Sequence, residues 1–188
     1  MKEKLFEIAG MFDLQGKVVD VAPLGEGFIN DTYIVRTEGE APDYILQRKN
    51  HHVFSDVPAM MQNIRAVTEH IKRKVANPLR ETLTIVDTKQ GALYVQEGEN
   101  FWAMCLYIPD TVTYSTANTP KLAYEGGVGI GRFHSLVSDF TEPLSETIKG
   151  FHNIRWRFKQ WDETLALDRV GRAKEVAEEI SWIAERRE

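Results

Sequence analysis

The 188-residue sequence has a single cysteine and no long apolar run. The lone Cys105 excludes an internal disulfide framework, and its apolar neighbours predict a buried, inert thiol. No segment is apolar over the length that spans a bilayer, and the sequence does not start with a charged stretch followed by an apolar one. We therefore expect a cytoplasmic protein with no membrane partner.

A strong excess of charge of one sign is also lacking. The chain has 23 basic and 28 acidic residues, which are mixed along its length and give a net charge of −5. This balance excludes a general nucleic-acid-binding surface. The adjacent His51 and His52 would point to opposite sides of an extended chain, so we predict no metal ligands in this sequence.

A glycine turn between two β-type runs is the most informative stretch. Residues 18–24 and 31–37 are rich in Val, Ile and Tyr, they flank Gly25–Asn30, and a third such run follows at 43–49. Glycines between strands are typical of a hairpin turn, and also of a loop whose backbone approaches phosphate. The spacing alone leaves both interpretations open. A Rossmann or Walker loop is excluded, because neither a helix nor Gly-Lys-Ser/Thr follows.

Hydrophobic periodicity predicts the remaining elements. The predicted helices are 2–10, 58–75, 121–140, 146–161 and 172–188, and the further predicted strands are 82–87, 92–96 and 101–108. In the second of these helices, Asn63 lies on or beside the apolar stripe, whereas Glu69 lies on the opposite side. Four glycines between residues 126 and 131 each cost a helix about 1 kcal/mol, so they predict close packing against a neighbouring helix.

Four segments in chain order resemble the aminoglycoside phosphotransferase superfamily, with N-acetylhexosamine 1-kinases and their relatives the most similar members. They are Pro23–Tyr33, Tyr44–Asn50, Met61–Ile64 and Gly131–His134. The resemblance covers nearly the whole chain and implies an α+β, kinase-like fold. Residues 1–108 would form the N-lobe, a five-stranded antiparallel sheet plus one helix, and residues 109–188 would form the hinge exit and the first helices of an incomplete C-lobe.

The resemblance also implies a nucleotide site with three parts: a phosphate-covering loop, a phosphate contact on the third strand with its helix partner, and a hinge whose backbone binds adenine. The implied residues are Gly25, Gly27, Asn30, Gln47, Arg48, Asn63, Leu106, Tyr107 and Ile108. The register leaves Gln47 and Arg48 as alternatives for the phosphate contact. Because Asn63 replaces the usual Glu, a neutral Gln47–Asn63 hydrogen bond would replace the usual ion pair.

The catalytic loop of the family is lacking. Its chemistry needs a loop of the form His-x-Asp-x-x-x-x-Asn and a later Asp for Mg²⁺. No His in this chain has Asp two residues later, and no Asp has Asn five residues later. Asp139-Phe140-Thr141 superficially resembles the metal-binding motif, but we interpret it as a helix end. We therefore assign no catalytic residue.

The expected function is the N-terminal, nucleotide-binding part of an ATP- and Mg²⁺-dependent sugar phosphotransferase. This part would be inactive alone, and its uncovered terminal helices would allow it to dimerise. The alternative is a complete, non-catalytic module that binds nucleotide or regulates another protein. Partly exposed Trp156, Trp161 and Trp182 would favour the first interpretation over the second.

Overall fold

A computed structural model describes residues 2–25 and 27–187, and one antiparallel sheet dominates its N-terminal part. The strands are β1 Val18–Pro23, β2 Asp31–Thr37, β3 Tyr44–Lys49, β4 Ile85–Val86, β5 Val95–Glu97 and β6 Asn100–Leu106. The strand order is β1-β2-β3-β6-β4, and the short β5 also pairs with β6. The helices are α1 Lys2–Ala9, α2 Val57–Lys72, α3 Pro78–Glu81, α4 Pro120–Val137, α5 Ile154–Leu167 and α6 Ala177–Ala184.

The predicted α+β, kinase-like fold class is confirmed, with six strands in the described sheet. The strand predicted at 82–87 is the shorter β4, because only Ile85 and Val86 pair with β6; the helix α3 before it was not predicted. The chain divides into two compact units, Met1–Thr147 and Ile148–Glu188. Among the described residues, no helix is long and apolar enough to cross a membrane.

The sheet of the first unit has two covered faces. On one face, a buried cluster joins α1 to the strands; its members include Ile8, Phe12, Val35, Tyr44, Leu46 and Met104. On the other face, Val57, Met60 and Met61 of α2 pack against Ala103 of β6. Alternate residues of a strand point to opposite faces. Tyr44 and Leu46 of β3 therefore lie on the α1 face, and Ile45, Gln47 and Lys49 lie on the α2 face.

Helix α2 begins and ends through local signals. The Asp56 carboxylate accepts a hydrogen bond from the Ala59 N–H (2.9 Å), and Pro58 occupies the first turn, where its missing N–H has no cost. The helix ends at Lys72, three residues before the predicted end, because Arg73 already lies at its C-cap. Met60 and Ile71 of the predicted apolar stripe are buried, and so is Met61 beside them.

The helices after the sheet differ from their predictions. The helix predicted at 146–161 is α5, which begins at Ile154, since Gly150 has a left-handed φ of +66° and the Asn153 side chain caps Trp156 N–H (3.1 Å). The helix predicted at 172–188 is a short 3₁₀ turn at Ala173–Val176 followed by α6.

The close packing predicted for the α4 glycines is wrong within the described part of the chain. A Cβ added at any of Gly126, Gly127, Gly129 and Gly131 would meet no heavy atom within 4 Å outside the local backbone of the helix. These glycines therefore leave one stretch of α4 uncovered.

Candidate functional site

The loop Gly25–Asn30 closes the hairpin between β1 and β2, where the Leu24 N–H donates to the Thr32 carbonyl (2.9 Å). Gly25 has a φ of +70°, a conformation that favours glycine. A Cβ on Gly27 would lie 2.5 Å from the Asn30 carbonyl oxygen, which is too close for any side chain. Phe28 is 99% exposed. Both glycines are therefore required by the loop's own backbone.

Asn30 fixes the end of this loop to the exit of β3. Its Oδ1 accepts a hydrogen bond from the Asn50 N–H (3.0 Å), and the Asn50 side chain in turn accepts one from the His52 N–H (3.0 Å). Asn30 thus contributes to the position of the loop.

Arg48 lies on the opposite face of β3 from α2. It pairs with Asp31, directly across the ladder on β2, through an Nε–Oδ2 hydrogen bond of 2.7 Å. Its Nη1 also donates to Asn100 Oδ1 (3.4 Å). The side chain is about half exposed, so this guanidinium has a carboxylate partner near water.

Lys49 is the cation on the α2 face, and it is not among the residues that the resemblance implies. The residue is only 8% exposed, and its Nζ donates to Gln47 Oε1 (2.7 Å). Burial lowers the pKa of Lys49, and the nearby Cys105 partly opposes this effect. Gln47 also donates from Nε2 to Thr32 Oγ1 (3.1 Å). The signal that could have found Lys49 is the period-two alternation, which separates it from Arg48.

Asn63 does not bond Gln47, so the predicted Gln47–Asn63 hydrogen bond is wrong. Asn63 Nδ2 donates to the Ser145 carbonyl (2.8 Å), and Asn63 Oδ1 accepts from the Ser145 N–H (3.0 Å). A primary amide matches the donor and acceptor of a peptide group, which explains this reciprocal pair. Gln47 is meanwhile engaged by Thr32 and Lys49.

At the hinge, where β6 ends, the backbone groups of successive residues alternate in direction. The Leu106 N–H donates to the Thr84 carbonyl (2.9 Å), and the Tyr107 N–H donates to the Asp43 carbonyl (3.0 Å). Within residues 2–25 and 27–187, and apart from the strand ladders, no hydrogen-bond partner is found for the Leu106 carbonyl or the Ile108 N–H. An acceptor and a donor two residues apart therefore remain available for a ligand.

A small cavity of about 30 Å³ lies on the α2 face of the sheet. It is lined by Ile45, Gln47, Lys49, Met61, Ile64, Leu83, Ile85, Ala103, Met104 and Cys105. Burial raises the pKa of the Cys105 thiol to about 11, so the thiol is protonated at neutral pH. Of the predicted residues, Gln47 lines this cavity directly, and Leu106 follows its last lining residue; Arg48 and Asn63 are engaged elsewhere.

Comparison with known proteins places this geometry in a family. A model of a family described as "Phosphotransferase enzyme family" matches residues 20–188. A spectinomycin phosphotransferase solved with ADP and spectinomycin is similar, with a TM-score of 0.54, 12% identity, and coverage of 76% of this chain and 39% of that one. An aminoglycoside phosphotransferase from Alicyclobacillus acidocaldarius has a TM-score of 0.55 and 13% identity, over 85% of this chain and 42% of that one.

This chain thus spans about two fifths of the length of those two solved structures. Their low identity supports the fold alone, which is the kinase-like fold of aminoglycoside phosphotransferases. The family match is independent of these structures and covers most of the sequence. The chain therefore belongs to the phosphotransferase enzyme family.

Proposed function

We propose that residues 1–108 bind ATP as the N-lobe of a longer phosphotransferase, and that residues 109–188 begin its second lobe. The observation that carries this proposal is a pair of hinge groups, the Leu106 carbonyl and the Ile108 N–H, for which residues 2–25 and 27–187 supply no partner outside the strand ladders. A backbone acceptor and donor at this spacing match the edge of a purine. The glycine loop Gly25–Asn30 then covers the phosphates, with backbone N–H groups as their partners.

The order of the hinge groups selects the base. Adenine carries an amino donor next to a ring-nitrogen acceptor, which complements the Leu106 carbonyl and the Ile108 N–H. Guanine carries an oxygen acceptor in place of the amino group, so it would set acceptor against acceptor. We therefore expect adenine nucleotides to bind more tightly than guanine nucleotides, by at least about tenfold, or 1.4 kcal/mol.

The substrate and the reaction are proposed from the resemblance of the sequence. The longer protein would transfer the γ-phosphoryl group of ATP to a sugar hydroxyl, with the anomeric hydroxyl of an N-acetylhexosamine as the first candidate. The spectinomycin phosphotransferase solved with ADP supports nucleotide use in the fold. In this chain, the Lys49 ammonium would supply positive charge for the phosphates, and the glycine loop Gly25–Asn30 would supply backbone N–H donors.

The 188-residue chain alone is proposed to be inactive. It has no Asp-based catalytic loop, and among the described residues no group of three His, Cys, Asp or Glu side chains is placed to hold a metal ion. These residues thus do not fit a Mg²⁺ site, and a magnesium ion would need ligands from outside them. Exposed apolar side chains on residues 148–188, such as Val170 and Trp182, also support a longer protein and suggest that this chain dimerises or binds a hydrophobic dye.

The test is a two-dimensional NMR titration of the 188-residue chain with ADP, ATP, GDP and adenosine. We expect ATP to bind with a Kd of about 1 mM or weaker, which is roughly 4 kcal/mol or less, because this chain supplies one wall of the cleft. Shifts should involve Leu106–Ile108 and the glycine loop. Equal binding of ADP and GDP, or no binding of either, would contradict the proposed site.

A phosphoryl-transfer assay tests the reaction separately. N-acetylhexosamines should be phosphorylated by a longer protein that carries the catalytic loop, and the 188-residue chain should show no transfer above background. Transfer by the short chain would overturn its proposed inactivity. A chain that binds ADP well but whose natural protein is complete at this length would favour a regulatory, non-catalytic module.

A further inference from the structure

The Ile108 N–H, which the proposed adenine site uses, lies between two anchored parts of the backbone. Before it, the Tyr107 N–H donates to the Asp43 carbonyl (3.0 Å). After it comes Pro109, which has no N–H and so adds no donor to the hinge. The position of the Ile108 N–H therefore depends also on what holds the residues that follow it.

Arg80 of α3 holds these following residues. Its Nη1 donates to the Pro109 carbonyl (2.9 Å), and its Nη2 donates to the Asp110 carbonyl (3.4 Å). A charged donor makes stronger hydrogen bonds than a neutral one, and the planar guanidinium can contact two acceptors at once. Asp110 has a φ of +55°, which is uncommon outside glycine and persists only where the surroundings hold it. The Arg80 side chain thus contacts the hinge exit at its left-handed residue.

Protein donors occupy three successive carbonyls at the hinge exit. The Thr111 hydroxyl donates to the Ile108 carbonyl (3.2 Å), and Arg80 donates to the carbonyls of Pro109 and Asp110. Arg80 supplies two of these three hydrogen bonds, and it is the one donor of the three that comes from a distant part of the sequence. The backbone on the C-terminal side of the Ile108 N–H is therefore held mainly by Arg80.

Helix α3 is itself anchored, so Arg80 acts from a fixed support. Glu81, the next residue, pairs with Arg132 of α4. Shortly after α3, the Thr84 carbonyl accepts the Leu106 N–H (2.9 Å). One short segment of the chain therefore contacts α4, the start of the hinge and the exit of the hinge.

We infer that Arg80 is a positioning residue for adenine, because it holds the hinge exit so that the Ile108 N–H and the Leu106 carbonyl keep the geometry that a purine edge requires. Arg80 itself does not contact the ligand. The inference rests on the proposed function, since it requires adenine to bind these two backbone groups. A donor that is already held in its bound position costs less to order when the ligand arrives, so loss of the support should weaken binding.

The experiment is an NMR titration with adenosine of the 188-residue chain and of its variants Arg80→Met, Arg80→Lys and Arg73→Met. Met keeps a long side chain and removes every donor, whereas Lys keeps the charge but cannot hold two carbonyls in the same way. Arg73, at the C-cap of α2, is exposed like Arg80 and controls for net charge. We expect Arg80→Met to weaken adenosine binding by about threefold or more, Arg80→Lys by less, and Arg73→Met by less than about 1.5-fold.

A second measurement separates positioning of the hinge from support of the fold. In the ligand-free protein, Arg80→Met should lower the ¹⁵N heteronuclear NOE of the Ile108 and Asp110 amides and leave those of β3 and β6 unchanged, because only the hinge exit gains mobility. The melting temperature should fall by less than about 2 °C, since Arg80 is exposed.

The outcomes separate this inference from the proposed function. If the unmodified chain binds no adenosine, the proposed function fails and the inference fails with it. If the chain binds adenosine and Arg80→Met binds it equally well, or Arg73→Met weakens it as much, only the inference is overturned. It is also overturned if Arg80→Met leaves the NOE of the Ile108 amide unchanged, or if binding weakens only together with a large fall in melting temperature, since Arg80 would then support the fold and not the hinge.

Discussion

The two faces of the sheet differ in how closely they are packed and in the charge they bury. On the α1 face, Phe12, Val35 and Leu46 are fully buried, and the Tyr44 hydroxyl accepts a hydrogen bond from the Gln15 N–H (2.8 Å). The α2 face has a cavity, a protonated thiol and the ammonium of Lys49, which has no carboxylate partner among residues 2–25 and 27–187. A close-packed apolar face stabilises a fold, whereas a buried charge beside a cavity is typical of a binding site. If the proposed site is correct, one sheet separates stability from nucleotide binding by face.

The side chains of strand β3 alternate between the two faces, so neighbouring residues on it have different surroundings. Leu46 fills the α1 core, and Ile45 and Gln47 line the α2 cavity. The ladder fixes this division, because Tyr33 on β2 and Met104 on β6 pair with Leu46 in register. A shift by one residue would exchange the two sets, which would turn the polar Gln47 toward the α1 core.

The largest effect that tests this comparison is expected from Leu46→Ala. Leu46 is fully buried, so removing its side chain leaves a cavity and should lower the free energy of unfolding by about 3 kcal/mol. Its matched control is Ile45→Ala, next to it in sequence and half-buried on the α2 face. That change should cost about 1 kcal/mol, and it should also weaken adenosine binding. Chemical denaturation measures the first quantity and NMR titration the second.

The comparison would fail if the two variants lost the same stability, or if Leu46→Ala weakened adenosine binding while the chain remained folded. Either result would mean that the core face and the site face are not separable. The measurement is best made well below the melting temperature of Leu46→Ala, so that an unfolded population does not lower the apparent affinity.

Helix α2 contacts the sheet through apolar side chains. It also contacts residues 136–145, at the end of α4 and after it, through polar groups. Beyond the Asn63–Ser145 pair, the Lys74 Nζ, just after α2, donates to the Leu136 carbonyl (2.7 Å) and pairs with Asp139. His70 Nε2 lies 3.0 Å from the same carboxylate. The Lys74 and His70 contacts lower the pKa of Asp139 to about 2. These contacts position the helix that forms one wall of the proposed site.

The second prediction concerns Asn63→Ala, which removes both hydrogen bonds to Ser145. Since Asn63 is only half-buried, water can partly replace them, and the free energy of unfolding should fall by about 1–2 kcal/mol. Gln62→Ala is the matched control, because Gln62 is the adjacent, exposed residue of α2. It should change stability by less than about 0.5 kcal/mol. Equal unfolding curves for the two variants would show that the Ser145 contact does not hold α2.

The sequence was sufficient for the hairpins and insufficient for the contacts between distant segments. Alternation and turn glycines predicted β1, β2 and β3 to within a residue, because these strands pair with neighbours in sequence. The partner of Asn63 is 82 residues away, and no periodicity identifies such a pair. Similarly, the run 101–108 predicted a strand, but which hinge groups stay unpartnered depends on Thr84 and Asp43.

Whether Arg48 or Lys49 of β3 lies on the α2 face depends on the register of the strand. The basic residues Arg48 and Lys49 are adjacent, so composition does not distinguish them, and the resemblance directed attention to positions 47 and 48. Only the ladder shows that Arg48 meets Asp31 while Lys49 shares a face with Gln47. A polar residue of β3 can therefore be assigned a role only after its face is known.

The smallest expected effect is a change in the pH dependence of stability, caused by the Cys105 thiol on the α2 face. The Cys105 thiol has its pKa raised by burial from an ordinary value near 9 to about 11. The unfolded thiol ionises first as pH rises, so this group's contribution is fully present below about pH 9 and is lost toward pH 11. The pKa of Lys49 is lowered by burial, so its contribution has the opposite sign, and stability rises with pH until its unfolded value of 10.5 is reached.

The Cys105→Ala variant isolates the thiol, because Lys49 is common to both proteins. The free energy of unfolding of the unmodified chain, minus that of Cys105→Ala, should fall by about 1 kcal/mol between pH 8 and pH 10. Repeating the comparison with Lys49→Met in both proteins should leave this fall in place, since the thiol is buried with or without the ammonium. Parallel curves for the two proteins from pH 8 to pH 10 would mean that water reaches Cys105. The α2 face would then be open at its hinge end, and the contrast between the two faces would lie in solvent access as well as in charge.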